Sequence, residues 1–253
     1  VNLFVWLKQV PDTETKITVK GDGSSIEKGA VKWVVNPYDE FAIEEALRTK
    51  EKLKTGTVTA IAFGPDRVVE ALRTAVAMGC DEAVHIVGPE DADSFTAAEA
   101  VAEYLRPANP SVVFLGKEAI DDGQAAEVGL LAELLDLPSA TVVTKIDWSA
   151  DGTSVTVERD VEGGTKHVVA LPLPAVLGVD KGINTPRYAP LPGIMRAKKK
   201  EIKKVTPTPA TAPTVDSGYE LPPERPPGKR IPGDAATQAR ELVRLLREEA
   251  KVL

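Results

Sequence analysis

Short apolar runs that suit buried strands recur at residues 3–7, 58–63, 83–87 and 112–115, and segments with apolar positions three and four apart lie between them. The first of these predicts a helix: Asn36 can cap it, Pro37 fits its first turn, Ala42, Ile43, Ala46, Leu47 and Leu53 make a buried stripe, and Gly56 stops it. A second helix is predicted over 65–78, with Val68, Leu72, Ala75 and Val76 apolar and Gly79 at its end. A third covers 94–105 ahead of Pro107, and a fourth covers 123–135 ahead of Pro138. Strands alternating with helices of this length predict an α/β fold built on a parallel sheet covered on both faces.

After Pro138 the period changes. Segments 141–147, 154–159, 166–171 and 175–179 follow one another with turns such as Asp151-Gly152 and Gly163-Gly164 between them, which reads as hairpins extending the same sheet as an antiparallel edge. From 205 to 234 the chain holds eight of its 20 prolines and almost no apolar period, which favours an extended arm. Asp234 then caps a helix whose Ala239, Leu242, Val243, Leu246 and Ala250 share one face. A short amphipathic helix must bury its stripe, either on its own body or on a partner. The expected organisation is therefore a domain over 1–204, an arm over 205–233 and a terminal helix over 234–253.

Composition narrows the function by exclusion. Of 253 residues, 43% are hydrophobic, 27% charged and 5% aromatic, an ordinary globular balance, and the single Cys excludes an internal disulfide. No apolar run approaches a membrane span, and the chain enters its first strand without the basic start and apolar stretch of a secretory signal, so a cytoplasmic protein is expected. The formal charge of −7 is uneven: a basic collar over 196–204 follows an acidic body, which argues against a nucleic-acid surface. His85, His167 and Cys80 read as structural, and no Ser-His-Asp set, metal cluster, Walker loop or Gly-x-Gly-x-x-Gly turn is visible. One candidate site remains. The fourth strand runs through Gly116, Lys117, Glu118, Ala119 and Ile120 into Asp121, Asp122, Gly123, Gln124, Ala125, Ala126, Glu127 and Val128, where backbone N–H groups at a helix start suit a phosphate. Asp121 or Asp122 can accept from ribose hydroxyls or cap the helix, although many such turns bind nothing.

The order of motifs resembles the beta subunit of electron transfer flavoproteins. The residues that carry the likeness are Val5-Trp6-Leu7-Lys8-Gln9-Val10-Pro11-Asp12-Thr13, Asn36-Pro37-Tyr38-Asp39, the Gly116-to-Asp122 run, Val157-Glu158-Arg159-Asp160-Val161-Glu162-Gly163-Gly164, and Pro186-Arg187-Tyr188-Ala189-Pro190-Leu191-Pro192-Gly193-Ile194-Met195-Arg196-Ala197-Lys198-Lys199-Lys200. The resemblance implies an adenine-nucleotide-hydrolase-like, Rossmann-like three-layer domain that buries an AMP beside Trp6, Leu7, Lys8, Asn36, Asp39, Phe63, Gly64, Asp121 and Gly123 to Val128. It also implies an alpha subunit carrying FAD, with Asp160 at the flavin edge; read from the residues alone, Asp160 is equally a solvated strand-end carboxylate. Leu191, Pro192, Ile194, Met195, Arg196 and Lys199 would form a docking loop for acyl-CoA and related dehydrogenases of fatty acid oxidation, or Leu191 would pack under its own loop. A quinone-linked oxidoreductase is an implied acceptor. Two other functions stay open: a flavin-bifurcating member with a second FAD in place of AMP, and a stand-alone adenine-nucleotide-binding regulator of the universal-stress-protein type. The run Gln124-Ala125-Ala126 departs from the hydroxyl- and amide-rich turn of many members, so backbone N–H groups would have to hold the phosphate. Arg196 stands where several members have a methylatable Lys.

Overall fold

The computed structural model describes residues 1–210, 212–216 and 218–253; Thr211 and Ser217 of the expected arm lie outside the described residues. The chain divides into two units, Val1–Tyr219 and Glu220–Leu253. The first holds a nine-stranded sheet. Its strands are β1 (Asn2–Trp6), β4 (Thr57–Gly64), β5 (Glu82–Val87), β6 (Val112–Gly116), β7 (Ser139–Trp148), β8 (Ser154–Val161), β9 (Thr165–Pro172), β10 (Ala175–Val179) and β11 (Lys203–Val205), in the order β11-β5-β4-β1-β6-β10-β7-β8-β9. Two short strands, β2 (Gln9–Pro11) and β3 (Trp33–Val35), pair separately and antiparallel.

From β11 to β7 all neighbours are parallel, and β8 and β9 add the antiparallel edge. The helices of this unit are α1 (Pro37–Leu53), α2 (Val69–Met78), α3 (Ser94–Leu105), α4 (Glu127–Leu135) and α5 (Leu191–Lys199). Alternation along β1 sorts the core: Leu3 and Val5 pack with residues of α1 and α2, whereas Phe4 and Trp6 pack with residues of α3 and α4. The result is a three-layer α/β fold.

Three expectations change. Residues 175–179 are not a hairpin with the preceding strand. They form β10, inserted parallel between β6 and β7 with all five residues buried, which is where an apolar run without alternation belongs. Helix α4 starts at Glu127 rather than at 123, because Gly123 (φ 63°) and Ala125 (φ 52°) turn the chain left-handed and break the helical path. The segment expected to be an arm from residue 205 begins as β11, paired with β5 from Lys203↔Val84 to Val205↔Ile86. It then stays on the body: Thr214 N and Oγ1 both donate to Asp93 Oδ2 at 3.0 and 2.8 Å, and Tyr219 N donates to the Gly23 carbonyl at 2.9 Å. The sequence-based boundaries after 204 and 233 thus do not coincide with the division between the units.

The second unit contains α6 (Ala235–Glu248), capped by Asp234, whose side chain accepts from Thr237 N. No helix among the described residues is long and apolar enough to cross a membrane.

Candidate nucleotide crevice

The carboxyl ends of β1 and β6 and the start of α1 converge on one carboxylate. Asp39, in the first turn of α1, is 4% exposed, and its two oxygens accept from Lys8 N at 2.7 Å and Gly116 N at 2.9 Å. Gly116 is required there, since a Cβ would lie 2.6 Å from Asp39 Oδ1 and 2.6 Å from Tyr38 Cβ. Burial pushes the Asp39 carboxyl up to about 7, against the two N–H bonds that favour its anion. Asn36 ties a second loop in. It is the residue before α1, but its side chain makes no cap; Nδ2 donates to the Glu118 carbonyl at 2.9 Å and Oδ1 accepts from Ile120 N at 3.2 Å. The expected cap is therefore a cross-brace to the turn after β6.

That turn carries the phosphate-binding expectation. Gly123 N donates to the Ala119 carbonyl and Gln124 N to Asp122 Oδ1, so two of the predicted donors are already engaged. The N–H groups of Ala125, Ala126, Glu127 and Val128 have no hydrogen-bond partner among the described residues, as expected for the first turn of a helix. Lys8 Nζ reaches into the same turn, 2.9 Å from Asp121 Oδ1 and 2.7 Å from Asp122 Oδ2. Burial works to lower the Lys8 ammonium, but the two carboxylates outweigh it and its pKa is raised. Helix α3 closes the side: Ser94 Oγ donates to Glu127 Oε1 at 2.8 Å and lies 3.0 Å from Gln124 Oε1. Four strand-end segments thus meet around one helix start with free N–H groups, an arrangement suited to an anionic group.

Other expected contacts enter differently. The side chains of Trp6, Leu7 and Val128 belong to the apolar core, so only their backbone is available to a ligand. Gly64 has φ 142°, and its carbonyl accepts from buried His85 Nε2 at 2.8 Å; Phe63 is half-buried beside it. A rim missed from the sequence lies after β4 and β5. The Arg67 guanidinium stacks 3.4 Å over the Trp33 ring and donates to Gln9 Oε1 at 2.6 Å and Glu90 Oε1 at 2.7 Å. Its four members come from four separate segments, and only Gln9 lies in a motif noted in the sequence. Two clefts of about 300 Å³ lie elsewhere, one lined by Glu45, Arg48, Lys145 and Trp148 and the other by Val1, Leu53, Thr55 and Pro110; neither includes a residue of the crevice.

Residues 25–210 match the family model described as the electron transfer flavoprotein domain. The chain is 40% identical over 263 residues to the electron transfer flavoprotein subunit beta of Bacillus subtilis, covering 100% of each. It is also 40% identical over 257 residues to the mitochondrial electron transfer flavoprotein subunit beta of Oryza sativa subsp. japonica, again over 100% of each, and 39% identical over 206 residues to the electron transfer flavoprotein subunit beta of Mus musculus, covering 80% of each. The chain belongs to the electron transfer flavoprotein beta-subunit family. Electron transfer is thus the process it serves.

In a beta-family chain the remaining sequence-predicted residues count as surfaces. Asp160 on β8 is exposed and pairs with Lys166 Nζ at 2.9 Å across the hairpin, with Thr144 Oγ1 at 3.2 Å. The bond from Lys166 lowers its carboxyl pKa. The segment expected as a docking loop is the helix α5, with Pro192 in its first turn. Its buried side, Gly193 and Ala197, lies on α2 so closely that a Cβ on Gly193 would collide with the Ala77 carbonyl, and Arg73 Nη1 donates to the Ala197 carbonyl. Its other side leaves Leu191 71% and Met195 59% exposed, with Ile194 and Lys199 also exposed. Arg196 Nη2 donates to the Val76 carbonyl at 3.3 Å, and in the collar Lys200 and Lys204 pair with Glu82 and Asp66. Arg187 anchors the approach to α5 by bonding Glu44 and Glu51 of α1 at 2.7 Å each.

Proposed function

We propose that this chain is the beta subunit of a heterodimeric electron transfer flavoprotein that holds AMP as a structural ligand and pairs with an alpha subunit carrying most of the contacts to FAD. When bound, the flavin supplies the redox chemistry; the residues of this chain bind, orient and dock. The observation that carries the AMP reading is the set of four free backbone N–H groups at residues 125–128, in the turn that Lys8 ties down through Asp121 and Asp122. They meet the need created by the missing hydroxyl and amide donors in this turn. Asn36 and Asp39 fix the turn in place and leave the phosphate to the helix start.

The exposed face of α5, with Leu191 as apolar anchor and Ile194, Met195 and Lys199 around it, supports docking of acyl-CoA and related dehydrogenases. A quinone-linked oxidoreductase would receive the electrons. Asp160 is assigned to the flavin edge, where exchange of its Lys166 partner for an alpha-subunit cation would join the two chains. The apolar stripe of α6 supports its role as the segment that grips the alpha subunit.

The deciding experiment is mass spectrometry of the supernatant of the denatured complex. One AMP and one FAD per pair of chains is the expected result. Two FAD and no AMP would instead make it a bifurcating member, and purification without any flavin-containing chain would return it to a stand-alone nucleotide-binding regulator.

A further inference from the structure

We infer that Arg73 is a positioning residue for the docking surface: reaching from α2, it pins the last turn of α5 and so holds Leu191 and Met195 in one arrangement before a partner arrives. The inference rests on the docking reading above and adds to it the residue that fixes the docking helix. Helix α5 has little of its own to hold it. It spans nine residues, Leu191–Lys199, and Pro190 at its start supplies no side-chain cap. A helix this short is marginal in water, and only Gly193 and Ala197 of its residues are buried. Its order must come from the helix it lies on.

That helix is α2, and two arginines tie the pair together in opposite directions. Arg73 Nη1 donates to the Ala197 carbonyl and lies 3.4 Å from the Lys200 carbonyl. The last carbonyls of a helix have no partner within it, and a cation there also meets the negative end of the helix dipole. Arg196 Nη2 returns from α5 to the Val76 carbonyl at 3.3 Å, and Gly193 lies against the Ala77 carbonyl. The contacts run antiparallel, residue 193 with 77 and residue 197 with 73. Among the described residues Arg73 forms no ion pair, so its guanidinium serves carbonyls of α5 and not a carboxylate. With Gly193 and Ala197 fixed on α2, Leu191 and Met195, four residues apart, stand exposed on the other side. A partner that meets an ordered helix does not have to order it, and this lowers the cost of docking without touching the electron transfer that follows.

The test uses the FAD-loaded heterodimer, reduced by a purified acyl-CoA dehydrogenase and its substrate. Arg73→Gln should raise the KM for the heterodimer by roughly three- to tenfold and leave kcat within about twofold. The increase should persist at high salt, unlike that of a neutralised collar lysine. Arg73→Lys keeps the charge without the planar fork and should give an intermediate KM. Amide exchange over residues 191–199 should quicken in Arg73→Gln while that over 69–78 does not. Added to Leu191→Ala, Arg73→Gln should change KM little further, because both act on the same contact. If Leu191→Ala raises KM and Arg73→Gln does not, the positioning role alone is overturned. Full additivity of the two, or a fall in kcat as large as the rise in KM, overturns it as well. Wild-type behaviour of Arg73→Lys, with the Arg73→Gln effect vanishing at high salt, would reduce Arg73 to one more collar charge. An unchanged KM in Leu191→Ala would overturn the docking reading itself.

Discussion

Helices α3 and α6 begin with the same chemistry and end in opposite situations. Each is capped by an Asp whose side chain accepts from the N–H of a Thr three residues on, Asp93 from Thr96 at 2.8 Å and Asp234 from Thr237 at 2.9 Å. Yet α3 buries Thr96, Ala98, Ala100, Val101, Ala102 and Leu105 against the sheet, while α6 buries none of its residues and leaves Leu242 49% and Val243 42% exposed. Local signals suffice to start a helix; what covers its stripe is a separate matter, settled for α3 within the chain and, in the function proposed above, supplied to α6 by the alpha subunit. The same division runs through the surfaces. The crevice pairs its charges with one another, whereas α5 and α6 present apolar side chains outward.

The largest effects should come from placing a charge on each apolar stripe. Val101→Asp should unfold the first unit, since a buried carboxylate without a partner has no tolerable state. Leu242→Asp combined with Leu246→Asp should leave the melting of the isolated chain unchanged and weaken association with the alpha subunit by about 3–5 kcal/mol. Sedimentation of mixed chains measures it, and undiminished association would show that α6 is not the gripping element. Next in size is Leu191→Ala, which should weaken dehydrogenase-driven flavin reduction by about 1.5–3 kcal/mol at every ionic strength. Neutralising Lys198 and Lys199 should slow the same reaction chiefly at low salt, because exposed charges act over about 8 Å at physiological ionic strength.

Smaller still are the caps themselves. Asp93→Ala should cost about 1 kcal/mol in chemical denaturation of the body, through the lost cap and the lost anchor of Thr214. Asp234→Ala should leave that transition in place and lower helical circular dichroism only; equal shifts for both would erase the contrast between the helices. The pH response is a separate test. Asp39 is raised in the fold to about 7 from an ordinary 3.8, so the native state holds the proton more firmly and its contribution to stability falls as pH climbs from about 4 to about 7. Asp93 behaves in the opposite sense. Burial works to raise it, the bonds from Thr96 and Thr214 outweigh burial, and with its pKa lowered its contribution is present above the ordinary carboxylate value and lost as pH falls through the folded one. Asp39→Asn should flatten the first slope, and melting followed across pH would reveal a slope that persists.

Much of this could be read from residues alone where the physics is local. Residues 94–105 were closed off by the proline that follows them, and 37–53 were bounded by Asn36, Pro37 and an apolar stripe, and both helices formed there. The start of α4 was misjudged because Gln124, Ala125 and Ala126 are compatible with a helix; the left-handed φ of Ala125 depends on the bonds of Asp122 and Ala119 around it. Asn36 sits where a capping residue belongs, and only the proximity of the β6 turn diverts its side chain. The crevice residues Lys8, Asn36, Asp39, Asp121 and Asp122 could be named from motif order, but the Arg67–Trp33–Gln9–Glu90 rim could not, since nothing in its spacing couples four distant segments.

The insertion of β10 between β6 and β7 has a consequence for synthesis. Until residue 179 has left the ribosome, β6 lacks one parallel neighbour and its apolar edge at residues 112–116 stays open, while β7 can pair only with β8. The opposite margin waits longer, because β5 is covered only when residues 203–205 arrive. A nascent chain that has emerged only to about residue 172 therefore displays a sheet with a gap in its middle and an uncovered side, a state exposed to chaperones and to misassembly.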